Sequence, residues 1–137
     1  MIRIALQAKG RLNEESMALL KDSGIKIEES KRKLLSKSWN YPIEVLYLRD
    51  DDIPQAVSNG IADLGIVGLN EVEEKGCNVN ILYELGFGKC RLSLAVPKSE
   101  PYTDLKYFNN KKIATSYPRI LERFFKKEGI NCTIEEI

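Results

Sequence analysis

The stretch IEVLYLRDDDIPQAVSNGIADLGIVG, residues 43 to 68, changes its hydrophobic period twice. IEVLYL at 43 to 48 reads as a strand ending at Arg49. The acids Asp50 to Asp52 then open a helix in which Pro54 suits the first turn, Ile53, Ala56 and Val57 form the buried stripe, and Gly60 ends it. DLGIVGL follows as another strand, interrupted by Gly65 and Gly68. Glycine fills no space in a buried strand, so the two mark either a bulge or a close approach by another backbone or a ligand.

The same alternation runs through the chain. Ile2, Ile4 and Leu6 alternate with Arg3, Ala5 and Gln7 in the period of a strand. The loop AKGR leads to a helix expected to carry Asn13 as N-cap, acids in its first turn, Leu12 stapled onto Met17, and Gly24 as its close. Residues 31 to 39 are basic and weakly patterned, consistent with a short strand; NEVEEKG reads as a short helix and NILYELG as an apolar strand. From Lys89 the face Cys90, Leu92, Leu94 and Val96 predicts a strand stopped by Pro97, with Cys90 serving as a small core hydrophobe. A loop with a short helix follows, then the strand KKIATSY, a helix over Pro118 to Glu128 with the stripe Ile120, Leu121, Phe124 and Phe125, a cap at Gly129, and the strand CTIEEI. Strands alternating with helices predict an α/β fold with a largely parallel sheet.

Composition excludes several functions. The chain has 137 residues, room for one ordinary domain. No apolar run approaches the ~18 residues of a membrane helix, and MIRIALQAKGR is not patterned as a secretory signal, so the expected compartment is the cytoplasm and no membrane partner is expected. With no histidine, a Ser-His or Cys-His triad is ruled out, and three scattered cysteines without a C-x-x-C pair support neither a disulfide framework nor a structural metal. Twenty-one Lys and Arg against 20 acids leave no global field for nucleic acid, so an anion site has to be local.

Ligands of parallel α/β sheets collect at the carboxyl ends of strands, where this sequence places Lys9 to Arg11, Arg49, Gly68 to Asn70 and Thr115 to Tyr117. AKGR sets Lys9 and Arg11 beside a helix N-terminus, suited to phosphate or simply a solvated basic loop, and it is not a P-loop. Arg49 can clamp phosphate through its planar fork or pair with the adjacent aspartates. Lys31, Arg32 and Lys33 are either further phosphate contacts or a solvated face. Thr115 and Ser116 offer hydroxyls to a ligand or to helix capping, and Tyr117 offers a ring for stacking. Asp63 can fix a ligand hydroxyl or hold nearby backbone N–H groups.

Four segments, ALQAKGRL, LRDDDIPQAVSNGIADLGIVG, ELGFGKCRLSLAVP and KKIATSYP, together closely resemble the catalytic subunit family of ATP phosphoribosyltransferase, the first enzyme of histidine biosynthesis, in order and in spacing. The resemblance implies a fold like type II periplasmic binding proteins, two α/β lobes with a cleft between them, with residues 1 to 86 forming most of lobe one and 87 to 137 beginning lobe two. It implies transfer of a phosphoribosyl group from phosphoribosyl diphosphate to N1 of the adenine of ATP, with Mg²⁺ accompanying the diphosphate-bearing substrate and no catalytic nucleophile or general base from the protein. The substrate-binding residues expected on that basis are Lys9, Arg11, Arg32, Arg49, Gly68, Asn70, Thr115, Ser116 and Tyr117, with Gly65 and Gly68 giving clearance. Where this chain has Asn70 the family often has Asp, which changes the charge of that contact. The family's phosphoribosyl loop, D-x-V-x-[ST]-G-x-T, does not occur in the 137 residues, so the chain is expected to be the N-terminal part of a longer, homo-oligomeric enzyme and inactive by itself. The competing reading is a non-catalytic small-molecule binding or sensor module of the same fold; four separate cations around one cleft favour two phosphate-bearing substrates.

Overall fold

The computed structural model describes residues 1–28 and 34–137, which divide into two compact units, Met1–Lys89 and Cys90–Ile137. The first unit contains β1 (Ile2–Gln7), α1 (Arg11–Asp22), β2 (Leu35–Lys37), β3 (Ile43–Leu48), a 3₁₀ turn at Asp50–Asp52 leading into α2 (Ile53–Ser58), β4 (Leu64–Gly65) and α3 (Leu69–Lys75). The second contains a 3₁₀ turn at Leu105–Phe108, β5 (Lys112–Thr115), α4 (Pro118–Glu128) and β6 (Thr133–Glu136). This is a mixed α/β fold.

The sheet of the first unit has the order β2-β3-β1-β4. β1 pairs in parallel with β3, from Ile2↔Ile43 to Gln7↔Leu48, and with β4 at Ala5↔Gly65, while β2 lies antiparallel on the far side of β3. The central β1 is covered on both faces. Ile4 and Leu6 pack with Leu20, Val45 and Tyr47, with Met17 of α1 against them. Ala5, on the other face, packs with Ile53 of α2 and with Ala62. The period of two thus feeds two cores, one to each side of the sheet.

Arg3 fastens the amino end of this sheet. Its Nε lies 2.8 Å from Glu44 Oε1, its Nη1 donates to the Ile61 carbonyl, and its backbone N–H donates to Asp63 Oδ2 at 2.9 Å. Of the two readings open for Asp63, the backbone contact is the one observed.

Three expectations need correction. α1 starts at Arg11 with Gly10 in the N-cap position, so Asn13 is the third helical residue and Leu12 lies inside the helix, where it cannot staple from outside. DLGIVGL shrinks to the two residues of β4 plus one further bond, Ile66 N–H to the Ala5 carbonyl at 3.0 Å. NILYELG and residues 89 to 96 form no strand: Leu82 and Tyr83 are 76% and 80% exposed, and Cys90 is exposed instead of buried. Alternation supplies a face, but a strand also needs a neighbour to bond, and among the described residues these segments have none.

In the second unit β5 and β6 run parallel, from Lys112↔Thr133 to Thr115↔Glu136. Phe108, Phe125 and Ile130 form its buried core, with Leu94, Val96 and Leu121 against it. Of the expected α4 stripe only Phe125 is buried, at 2% exposure, whereas Phe124 remains 38% exposed.

Candidate functional site

Parallel strands end at the same edge of a sheet, and here that edge brings together Lys9, Arg11 and Arg49 of the first unit. Gln7 pairs with Leu48 at the carboxyl ends of β1 and β3, and Ala8 N–H donates to the Leu48 carbonyl at 2.7 Å. Lys9 and Arg49 therefore leave adjacent strands side by side. β4 delivers Gly68 and Asn70 to the same edge.

The Lys9–Arg11 loop is held by Gln7. Its Oε1 accepts from Asn13 N–H at 3.1 Å, and Asn13 Nδ2 donates back to the Gln7 carbonyl at 2.8 Å. A side chain on the preceding strand thus satisfies one of the first N–H groups of α1 and turns the loop at Gly10, whose φ is 112°. Gln7 escaped the sequence reading because it sits six residues before its partner, in the position of an ordinary outward strand residue. Lys9 and Arg11 are exposed.

Arg49 lies 3.3 Å from Asp51 through its Nε, yet its side chain is 80% exposed. So open a pair is worth at most about 1 kcal/mol and yields readily to a bound polyanion. Pairing with the aspartates and availability to phosphate are compatible.

The two glycines of the β4 region have different causes. A Cβ on Gly65 would meet Ile53 Cγ2 at 2.6 Å and Val57 Cγ2 at 3.0 Å, so what approaches Gly65 is α2, not a ligand. This corrects its assignment as ligand clearance. A Cβ on Gly68 would meet only the Asn70 amide, at 2.5 Å from Oδ1, at the start of α3. Gly68 thereby lets the Asn70 side chain fold back over the strand exit.

In the second unit Thr115, Ser116 and Tyr117 occupy the turn from β5 into α4. Thr115 Oγ1 accepts from Tyr117 N–H at 2.9 Å, so this hydroxyl oxygen shapes the turn, as the capping alternative required. Ser116 is exposed and Tyr117 half-buried at the helix start. Arg32, with Lys31 and Lys33, lies outside the described residues. No helix among the described residues is long and apolar enough to cross a membrane.

Comparison with known proteins gives these placements a family context. The family model described as ATP phosphoribosyltransferase matches residues 49–137. A relative in Bacteroides thetaiotaomicron named ATP phosphoribosyltransferase is 63% identical over 137 residues, covering all of this chain and 48% of the relative. One of the same name in Cytophaga hutchinsonii is 46% identical over 136 residues, again 48% of its length. The chain thus spans about half the length of the curated relatives it matches. Among solved structures, the ATP phosphoribosyl transferase (HisG:HisZ) complex from Thermotoga maritima superposes with a TM-score of 0.72 at 24% identity, covering all of this chain and 64% of that one, a likeness of fold. With the family model reaching over the larger part of its length and relatives matching it from end to end, this chain belongs to the ATP phosphoribosyltransferase family.

Proposed function

We propose that this stretch serves an enzyme that transfers the phosphoribosyl group of phosphoribosyl diphosphate to N1 of the adenine of ATP, the first step of histidine biosynthesis. Family membership supports the reaction. The observation that carries the site is the juxtaposition of Lys9 and Arg49 at the carboxyl ends of neighbouring parallel strands, beside the start of α1. In this reading Lys9, Arg11, Arg32 and Arg49 neutralise phosphates, Gly68 and Asn70 line the strand exit, and Thr115, Ser116 and Tyr117 contact ribose or adenine across a cleft between two lobes of the type II periplasmic-binding-protein kind. The enzyme acts in the cytoplasm as a homo-oligomer.

The chemistry asks little of the protein beyond position and charge. Adenine N1 brings its own lone pair, so the residues have to hold two polyanions in line and stabilise the negative charge that leaves as diphosphate. Magnesium enters with the diphosphate-bearing substrate. Among the described residues no three Asp, Glu or Cys side chains gather to hold a metal ion, and Asp51 is engaged by Arg49, so no step is assigned to the ion.

The test is product formation by the full-length protein carrying this stretch, given ATP, phosphoribosyl diphosphate and Mg²⁺. The expected result is an absorbance change from phosphoribosyl-ATP that Arg49→Ala lowers in kcat/KM by about 10- to 1,000-fold, the scale of losing a preorganised charged donor. Nucleotide binding without product would establish the sensor reading in its place.

A further inference from the structure

The only Asn-Gly pair in the sequence, Asn59–Gly60, stands exposed where α2 ends. Asparagine before glycine is open to attack by its own chain, because glycine has no side chain to shield its nitrogen, and that nitrogen can reach the asparagine carboxamide carbon and close a five-membered imide. The end of α2 holds the pair out of that geometry. At Asn59 φ is −86° and ψ is 0°, so the Gly60 nitrogen eclipses the Asn59 nitrogen, whereas ring closure needs it to eclipse Cβ. The Gly60 N–H donates to the Val57 carbonyl at 3.1 Å and the Ile61 N–H to the Ala56 carbonyl at 2.9 Å. The carboxamide is held as well: Gln55 Nε2 donates to Asn59 Oδ1 at 3.0 Å, and Cys77 Sγ donates in turn to Gln55 Oε1 at 3.4 Å.

We propose that Asn59–Gly60 is a self-modification site whose rate is set by local opening of the carboxyl end of α2. Once the end opens, the Gly60 nitrogen loses its proton to solvent and attacks Asn59 Cγ. The new N–C bond forms, the Cγ–Nδ2 bond breaks, and ammonia leaves with a proton from solvent. Water then opens the imide at either carbonyl, giving aspartate or, where the chain now runs through the side-chain carbonyl, isoaspartate. Opening costs little here, since α2 has six residues and both members of the pair are exposed at its last turn. The consequence reaches the sheet. Isoaspartate adds a methylene to the main chain directly before Gly60, and residues 61 to 63 tie the chain after α2 to β1. Arg3 Nη1 donates to the Ile61 carbonyl at 3.1 Å, Asp63 N–H to the Arg3 carbonyl at 2.9 Å, and Arg3 N–H to Asp63 Oδ2 at 2.9 Å. Lengthening the chain at that point displaces these bonds relative to the end of α2. The proposal rests on the geometry around α2, not on the reaction.

Peptide mapping by mass spectrometry tests it on the full-length protein carrying this stretch, held at mildly alkaline pH, with isoaspartate counted by methyl transfer from an isoaspartyl-specific carboxyl methyltransferase. Conversion at residue 59 is expected in the native protein, and at least about tenfold faster in the urea-unfolded protein, the ratio reporting the cost of opening. Gln55→Ala frees the carboxamide and leaves the backbone bonds of the helix end in place; it is expected to speed native conversion about 2- to 10-fold, the scale of one net hydrogen bond. The thermal transition is expected to fall as isoaspartate accumulates, while Asn59→Gln, whose longer side chain does not close the five-membered ring, ages without that loss. A smaller ratio, or a native rate unmoved by Gln55→Ala, overturns the gate. An Asn59 that stays intact in the native protein while it converts in the unfolded one overturns the site, and isoaspartate without loss of stability overturns its coupling to the sheet.

Discussion

Gly65 lacks a side chain because Ile53 and Val57 occupy the place where one would be. Its backbone lies outside the left-handed region, so the expected cost of Gly65→Ala is steric: about 1–3 kcal/mol of overpacking, read by urea denaturation. The attribution is checked by a double-mutant cycle, in which the penalty shrinks when Ile53→Ala is present. Cys90 makes the opposite point. It reads as a core residue and is exposed, whereas Cys132 is half-buried and burial pushes its thiol above the ordinary value. A neutral aromatic disulfide at pH 8 is therefore expected to label Cys90 faster than Cys132 by about tenfold or more, because the thiolate and its accessibility set the rate. Faster labelling of Cys132 would contradict the exposed placement of Cys90.

Three helices end in the same dipeptide, Gly-Ile, at 24–25, 60–61 and 129–130. In each the glycine N–H bonds three residues back and the isoleucine N–H five back: for α4, Gly129 to Lys126 at 3.4 Å and Ile130 to Phe125 at 2.9 Å. This is the Schellman close, and in two of the three the isoleucine returns to the core: Ile25 packs against the first cluster and Ile130 is buried in the third. Gly129 sits at φ 73° with open space where a Cβ would go, so Gly129→Ala is expected to cost about 1–2 kcal/mol from backbone strain alone, with no rescue by trimming a neighbour. Thermal unfolding reads it. At the other end of a helix, Gln7→Ala removes the acceptor for Asn13 N–H and is expected to cost about 1 kcal/mol, the scale of a lost N-cap.

Across the first unit, two arginines sit at opposite ends of the sheet, Arg3 tied into it and Arg49 open to solvent. Arg3 joins β1 to Glu44 and to the Ile61 carbonyl, and the Glu44 side chain it serves is only 11% exposed. Arg3→Ala leaves that carboxylate largely buried without its partner and is expected to cost about 3 kcal/mol, toward the low end for such a pair because Arg3 itself is 39% exposed. Arg49→Ala, at an 80% exposed position, is expected to change stability by less than about 0.5 kcal/mol while lowering turnover in the full-length protein. Denaturation midpoints and kcat/KM, measured on both variants, separate the roles. Equal loss of stability in both would remove Arg49 from the proposed site.

Local pattern by itself determined the elements with clear periodicity and capping signals: β1, β3, α2, α3 and the Pro118–Glu128 helix with its glycine close all appear where those signals place them. It also placed Lys9 and Arg49 after strands, because hydrophobic period and turn chemistry are properties of short windows. Only the tertiary structure decided which strand-like segments became strands. Leu92, Leu94 and Val96 alternate as clearly as Ile2, Ile4 and Leu6, yet only the latter have β3 and β4 to bond. It likewise decided that Gly65 admits α2, that Gln7 holds the start of α1, and that Arg3 is structural while Arg49 stays open to solvent. Backbone hydrogen bonds within a sheet and contacts between its layers join residues distant in the chain, and no local window contains both halves of such a bond.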